Sequence, residues 1–482
     1  SRVAEGERAL CHRCHTVLIA PRTASYNRAL ALSVANLILV IAAVFHPFLE
    51  IHAAGLVNRV SLLDVATSFG TGALVVVTVT SVAMILLVPL LRAGLLAYAL
   101  FYYADQTSGD AAVLYAAAWL AGNGQGEAVY RGAVSAMSPE LRAAEAALGL
   151  PHTFPYYYPP LWAHVLAPLA VSIPFETFET ALLVANVAAH AATAVVAWRL
   201  FGRAGPLWPW MALATLLVPM TIFGTSAFLY KNPQVIVSLI VLSGFERYWA
   251  GARTTAAVLF ALAAAIKIVP ALFALIFVFR RDWRGLAICA AVGAALLTVS
   301  FALAGVSAHV TWREALADPQ SVVSTARNNL AFQSVAHHVQ QWLEGASLVD
   351  QRRMPRPGWV VALQAVVLPA ILAALWWRYR DASPAAWRRG FTPAMLLVVS
   401  LSGPLAWTHY FTPVLCLLPG LFLILGRNAA LGLSALVVAA NSFYFYADIA
   451  KPLPEPGIYP VVGFTSLALL ALVFAQAGRR TR

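Results

Sequence analysis

Apolar runs of about twenty residues, repeated along the whole chain, constrain this sequence more than any other feature. Clear examples lie at 28–49, 178–200, 206–228, 233–250, 285–306, 358–377 and 459–477. At about 1.5 Å per residue, each is long enough for a helix that crosses the ~30 Å hydrocarbon core of a bilayer. Composition agrees: 61% of the 482 residues are hydrophobic and 11% are charged, against about 25% charged in soluble domains. A transmembrane barrel would need short alternating segments, and the sequence has none. The expectation is an all-α polytopic membrane protein with about ten to twelve spans.

The formal net charge of +12 does not point to nucleic acid. Arg199, Arg203, Arg247, Arg253, Arg280, Arg284, Arg378, Arg389, Arg427 and Arg479 all sit where apolar runs end. Arginine in such places marks the cytoplasmic ends of spans. With that parity, the polar stretches 101–160 and 307–357, the turn at Asn232 and the hairpin tip at His409 share the extracytoplasmic face. The N-terminus conflicts with it. Its basic residues argue for the cytoplasm, and two clean spans would then put Asp110 there too. Either 72–103 does not cross once, or the N-terminus lies outside, or an added N-terminal piece breaks the usual topology.

Cys11 and Cys14 form a C-x-x-C pair, which suits one edge of a tetrahedral zinc site. A closed site needs four ligands, and no second pair follows. Zinc ligation, a redox pair and unligated thiols all remain open. Cys289 and Cys416 lie in apolar runs and read as core residues.

The segment 254–279 has arginines at both ends and Lys267 and Pro270 near its middle. A single crossing would put arginine on both faces. A broken hairpin keeps both ends inside and sets Lys267 at membrane depth, facing a cavity. A buried, unpaired charge there costs at least ~2.5–3.5 kcal/mol, so such a lysine reads as functional. Asp110 opens a helical pattern after the polar stretch at 101–109, where it could serve either as a helix N-cap or as a general base. Asp105 is its nearby competitor.

Two resemblances follow from particular residues. Cys11-x-x-Cys14 ahead of Ser25-x-x-Arg28, Pro47 at the end of the first apolar run, and Ser81 and Pro89 in the second resemble the membrane domain of the paraquat-inducible protein A family. This resemblance implies a module at 1–95, followed by a second domain at 96–482. From Asp110 onward the chain resembles glycosyltransferase family 87. The match rests on Asp110, Tyr115 and Ala121-Gly122; on Tyr158-Pro159-Pro160 with Pro168; on Asn232-x-Gln234 and Lys267-x-x-Pro270; and on Ser402-Gly403-Pro404 with Trp407-x-His409-Tyr410. Where that family commonly shows Asn-Gln-Ser, this chain has Arg327-Asn328-Asn329-Leu330 and later Gln333-Ser334.

The second resemblance implies a C-type glycosyltransferase bundle with amphipathic helices in a large first extracytoplasmic loop. It implies a multi-pass protein of the bacterial inner membrane, acting on the extracytoplasmic face. The reaction it implies is inverting transfer of a sugar, mannose first and arabinofuranose second, from a polyprenyl-phosphate donor to a glycolipid or glycan. Asp110 would be the general base, with Lys267 and His409 at the donor phosphate. Tyr115, Tyr158, Asn232, Gln234, Arg327, Asn328, Trp407 and Tyr410 would be substrate contacts. The partners would be membrane lipids, donor and acceptor, with no nucleic acid. No Asp-x-Asp or carboxylate cluster is present, so the transfer itself is expected to need no metal. The competing reading is a lipid or glycolipid flippase that binds the same headgroup without chemistry.

Overall fold

A computed structural model describes residues 9–10, 17–19, 49–53, 56–60, 108–131, 137–151, 154–317, 322–345, 353–450 and 457–477. The chain divides into two compact units, Ser1–Leu91 and Arg92–Arg482. In the first unit the described residues form two antiparallel hairpins. β1 (Ala9–Leu10) pairs with β2 (Val17–Ile19), and β3 (Leu49–Ala53) pairs with β4 (Leu56–Val60) in the register Leu49 to Val60. Strand β3 alternates apolar and polar residues, Leu49-Glu50-Ile51-His52-Ala53. Cys11 and Cys14, Asp105 and the expected first two spans lie outside the described residues.

The second unit is a helical bundle. Its first helix, α1 (Gly109–Gly122), is capped by Ser108, whose hydroxyl accepts from the Ala111 N–H at 3.3 Å. The cap is therefore Ser108 and not Asp110, which falls in the first turn with its carboxylate left for other partners. Residues 111–118 of α1 are all buried. The small faces let α3 (Pro160–Ser172) approach closely: a Cβ on Gly122 would come within 2.5 Å of Val171. In the same loop, α2 (Pro139–Ala147) carries the amphipathic pattern, burying Leu141 and Ala144 and exposing Arg142 and Ala146.

α4 (Phe175–Leu200) is long and apolar enough to cross a bilayer, as are α10 (Trp283–Ala315), α12 (Gly358–Tyr379) and α16 (Ile458–Gln476). α6 (Ile222–Leu229) and α7 (Gln234–Trp249) form a bent pair at 118° that passes the same test together. These lengths make the chain a multi-pass membrane protein. Several apolar runs that read as single spans are instead built from shorter pieces. Pro219 and Thr221 separate α5 (Leu207–Met220) from α6, and α13 (Thr392–Ser402), α14 (Thr412–Leu417) and α15 (Arg427–Ala440) are all short. Pro404, Pro413 and Pro419 sit at the ends of α13 and α14, where proline removes a helix hydrogen bond and clashes with the preceding turn.

The Lys267 segment is broken as the sequence suggests. α8 (Arg253–Ile266) stops at Lys267, which is extended at φ −141° and ψ 139°; a 3₁₀ turn (Val269–Ala274) and α9 (Leu275–Phe279) follow. Arg253 at its start and Asp282 beyond its end lie 3.6 Å apart. The chain thus goes out and returns, with Lys267 at the far tip. α11 (Phe332–Leu343) lies between the paired strands β5 (Val322–Ser324) and β6 (Arg353–Pro355) in sequence. The core holds edge-to-face rings, among them Phe245 with Phe260 at 5.0 Å and Phe260 with Phe277 at 5.9 Å.

Candidate active site

The α6–α7 bend is the turn that carries Asn232, and Asn232 organises the site. Its Oδ1 accepts from the Gln234 backbone N–H at 2.9 Å. That donor can only donate, so it fixes which way the amide faces. The Asn232 Nδ2 then donates to Asp110 Oδ2 at 2.9 Å. On its other side, Oδ1 receives the Lys267 ammonium at 3.5 Å and the Tyr158 hydroxyl at 3.4 Å. One amide therefore stands between a carboxylate and an ammonium and keeps them from pairing directly.

Lys267 is held by aromatic faces. Its Nζ lies 4.4 Å from the Tyr410 ring centroid and 5.3 Å from that of Tyr158, within cation–π range. Among the described residues it makes no ion pair within 4.0 Å. Asp110, Tyr158, Lys267, Trp407 and Tyr410 are all half-buried, so they form walls that a ligand can reach. Withdrawal from water pushes the Asp110 carboxyl above its ordinary value; the Asn232 hydrogen bond and the Lys267 charge pull it partly back.

His409 is buried beside this group, its ring 4.9 Å from Tyr410 and 6.0 Å from Tyr230. Among the described residues neither of its ring nitrogens has a hydrogen-bond partner. A buried imidazole with neither nitrogen hydrogen-bonded is costly unless a ligand supplies the partners. Trp407 leads into the 3₁₀ turn Thr408–Phe411 that presents His409 and Tyr410. The second polar loop is zipped onto this tip. Asn328 O accepts from Thr408 N at 3.0 Å, and Leu330 N donates to Ala406 O at 2.8 Å. Asn329 Oδ1 accepts from both Ala331 N and Ala406 N, at 3.1 and 2.9 Å. The Asn328 side chain hydrogen-bonds the Tyr230 hydroxyl. Arg327 is half-buried at the start of the same segment.

Two expected contacts are turned inward. The Tyr115 hydroxyl donates to Ile173 O at 2.8 Å and its ring packs on Phe175 and Phe178. Gln234 acts through its backbone on Asn232, while its side chain reaches Ser238 within its own helix at 3.4 Å.

The sequence reading passed over the residues that hold Asp110 in place. Glu179 on α4 accepts from the Ser108 N–H at 2.7 Å and from the Lys231 ammonium at 3.0 Å, with one oxygen serving both. Lys231 is fully buried, in a left-handed conformation at φ 46°. The Ser108 hydroxyl donates to Tyr230 O, and Asn186 Nδ2 donates to Asn232 O at 3.0 Å. These bonds tie the start of α1 to the Asn232 turn. A lysine beside Asn232 in a tight turn was the available signal, but charge in a turn ordinarily reads as solvated.

The model of glycosyltransferase family 87 matches residues 156–403, just over half of the chain. The chain belongs to glycosyltransferase family 87. The match covers Tyr158, Asn232, Lys267, Arg327 and Asn328 and ends before Trp407. A second model, paraquat-inducible protein A, matches residues 26–122. That match reaches into α1 and includes Asp110. The chain is also 30% identical, over 236 residues, to a polyprenol-phosphate-mannose-dependent alpha-(1-2)-phosphatidylinositol pentamannoside mannosyltransferase of Mycolicibacterium smegmatis. The aligned part is 46% of this chain and 51% of the relative, so the chain spans about half the length of this curated relative. Among the described residues no group of three or more His, Cys, Asp or Glu could hold a metal ion.

Proposed function

We propose that this chain is an inverting glycosyltransferase that moves mannose from a polyprenyl-phosphate donor to a glycolipid acceptor on the extracytoplasmic face of a bacterial inner membrane. The observation that carries the reading is the Asp110–Asn232–Lys267 arrangement, in which base and cation are close but not neutralised by each other. Inverting displacement at the anomeric carbon removes a proton from the acceptor hydroxyl and releases the donor phosphate. The Asp110 carboxylate takes the proton, a role typically worth about 10²–10⁴-fold in rate. Its raised value makes it a stronger base than a solvated aspartate. Lys267 stabilises the negative charge that grows on the departing phosphate, and its aromatic cradle keeps it preorganised. His409, with two free ring nitrogens, donates to the same group. Tyr158, Tyr410 and Trp407 offer faces to sugar rings. The name of the mycobacterial relative supports mannose over arabinofuranose and a glycolipid acceptor.

The test is product mass after incubating the purified protein, in vesicles, with polyprenyl-phosphate-mannose and a phosphatidylinositol mannoside. A gain of one hexose on the acceptor supports the proposal. Movement of the donor lipid between leaflets with no product would replace it with lipid transport.

A further inference from the structure

The end of the bundle remote from Asp110 carries a second charged site. α4 runs from Glu179, which anchors Asp110, to Gly202, just past its C-terminus. At 1.5 Å per residue these points are about 34 Å apart. Gly202, at φ +85°, is where Arg388 and Arg389 meet: a Cβ on it would lie 2.8 Å from one Nη2 and 3.1 Å from the other. Only glycine lets both guanidinium groups settle on this backbone, and it brings their terminal nitrogens within about 6 Å of each other.

Two like charges so close repel, and among the described residues no carboxylate comes within salt-bridge distance of either. Both Nε atoms are buried and, among the described residues, without hydrogen-bond partners. Neither arginine makes a salt bridge among the described residues. The acid that attracts Arg388 is Glu246, but Arg247 already occupies both of its oxygens through Nε and Nη2. A third guanidinium, Arg280, lies 5.1 Å over the Trp387 ring in the same turn. Paired guanidinium forks with unfilled donors match the oxygen spacing of a phosphate.

We propose that Arg388 and Arg389, seated on Gly202, bind a phosphate group: the phosphodiester headgroup of an anionic phospholipid in the leaflet opposite the Asp110 site, or free phosphate. The ligand supplies the counter-charge that the fold omits, and it joins the end of α4 to the turn ahead of α13.

Thermal unfolding of the whole chain in a neutral detergent tests this. It is followed with added phosphatidylglycerol, phosphatidylcholine or inorganic phosphate. Phosphatidylglycerol raises the unfolding temperature more than phosphatidylcholine does; a rise with inorganic phosphate at millimolar concentration instead identifies the free anion as the ligand. Arg388→Gln/Arg389→Gln weakens the response about tenfold or more. Arg388→Lys/Arg389→Lys, which keeps the charge but loses the fork, weakens it less. Lys267→Met, at the other end, leaves it unchanged, which separates this site from the donor site. Because the unliganded pair is repulsive, the double Gln variant unfolds no earlier than wild type when no anion is added. The proposal is overturned by an unchanged response in the double Gln variant, by no response to any anion in wild type, or by a double Gln variant that is destabilised without anion.

Discussion

Replacing Lys231 with methionine isolates the anchor of α1. Lys231 Nζ is 3.0 Å from Glu179 Oε1 and neither side chain reaches solvent, at 0% and 5% exposure. Methionine keeps the unbranched stem of lysine and removes its ammonium group. Glu179 is then a buried carboxylate without its cation, a loss of about 3–5 kcal/mol. Adding Glu179→Gln removes the stranded charge while its amide oxygen still accepts from Ser108 N. Replacing a whole buried pair with neutral groups is often near neutral in stability. The double variant therefore recovers most of the loss. Denaturant unfolding of the detergent-solubilised protein, monitored by tryptophan fluorescence, measures both. A single variant that loses less than about 1 kcal/mol, or a double variant no more stable than the single, refutes the claim that the ion pair holds this turn.

Two further predictions concern the same network. Asn232→Ala removes a hydrogen bond that favours ionised Asp110. The carboxyl value then rises further, so the acid limb of the kcat/KM profile moves to higher pH; an unmoved limb would separate Asp110 from the titration. Asn329→Ala leaves the buried Ala331 and Ala406 N–H groups without their acceptor, at about 1–3 kcal/mol each. Thermal unfolding should show the loss, and proteolysis should open the 322–345 segment first.

Much of this was legible in the chain, for reasons that differ residue by residue. Lys267 stood out because a charge with Pro270 three residues on, between two arginine-flanked ends, has few physical solutions, and the broken hairpin is one. The His409 tip and the Asn232 turn were visible as polar, proline-marked interruptions of apolar sequence. What the sequence hid was which polar groups pair. Asp110 reads equally well as a helix cap, and only the structure shows Ser108 in that role. Glu179, one turn into a long apolar helix, has partners 71 and 52 positions away in the chain, which no local pattern reveals. Helix lengths depart from the apolar runs for a related reason. Apolar composition records where side chains avoid water, whereas helix length depends on prolines, and α5, α13 and α14 end where packing permits a break.

The central claim is that Asp110 removes the acceptor proton. Asp110→Asn keeps the side-chain shape and abolishes the base. Radiolabelled mannose transfer from polyprenyl-phosphate-mannose, measured beside donor binding to the same protein, tests it most directly. The account predicts transfer reduced about 10²–10⁴-fold with donor affinity close to wild type; transfer at the wild-type rate would contradict it.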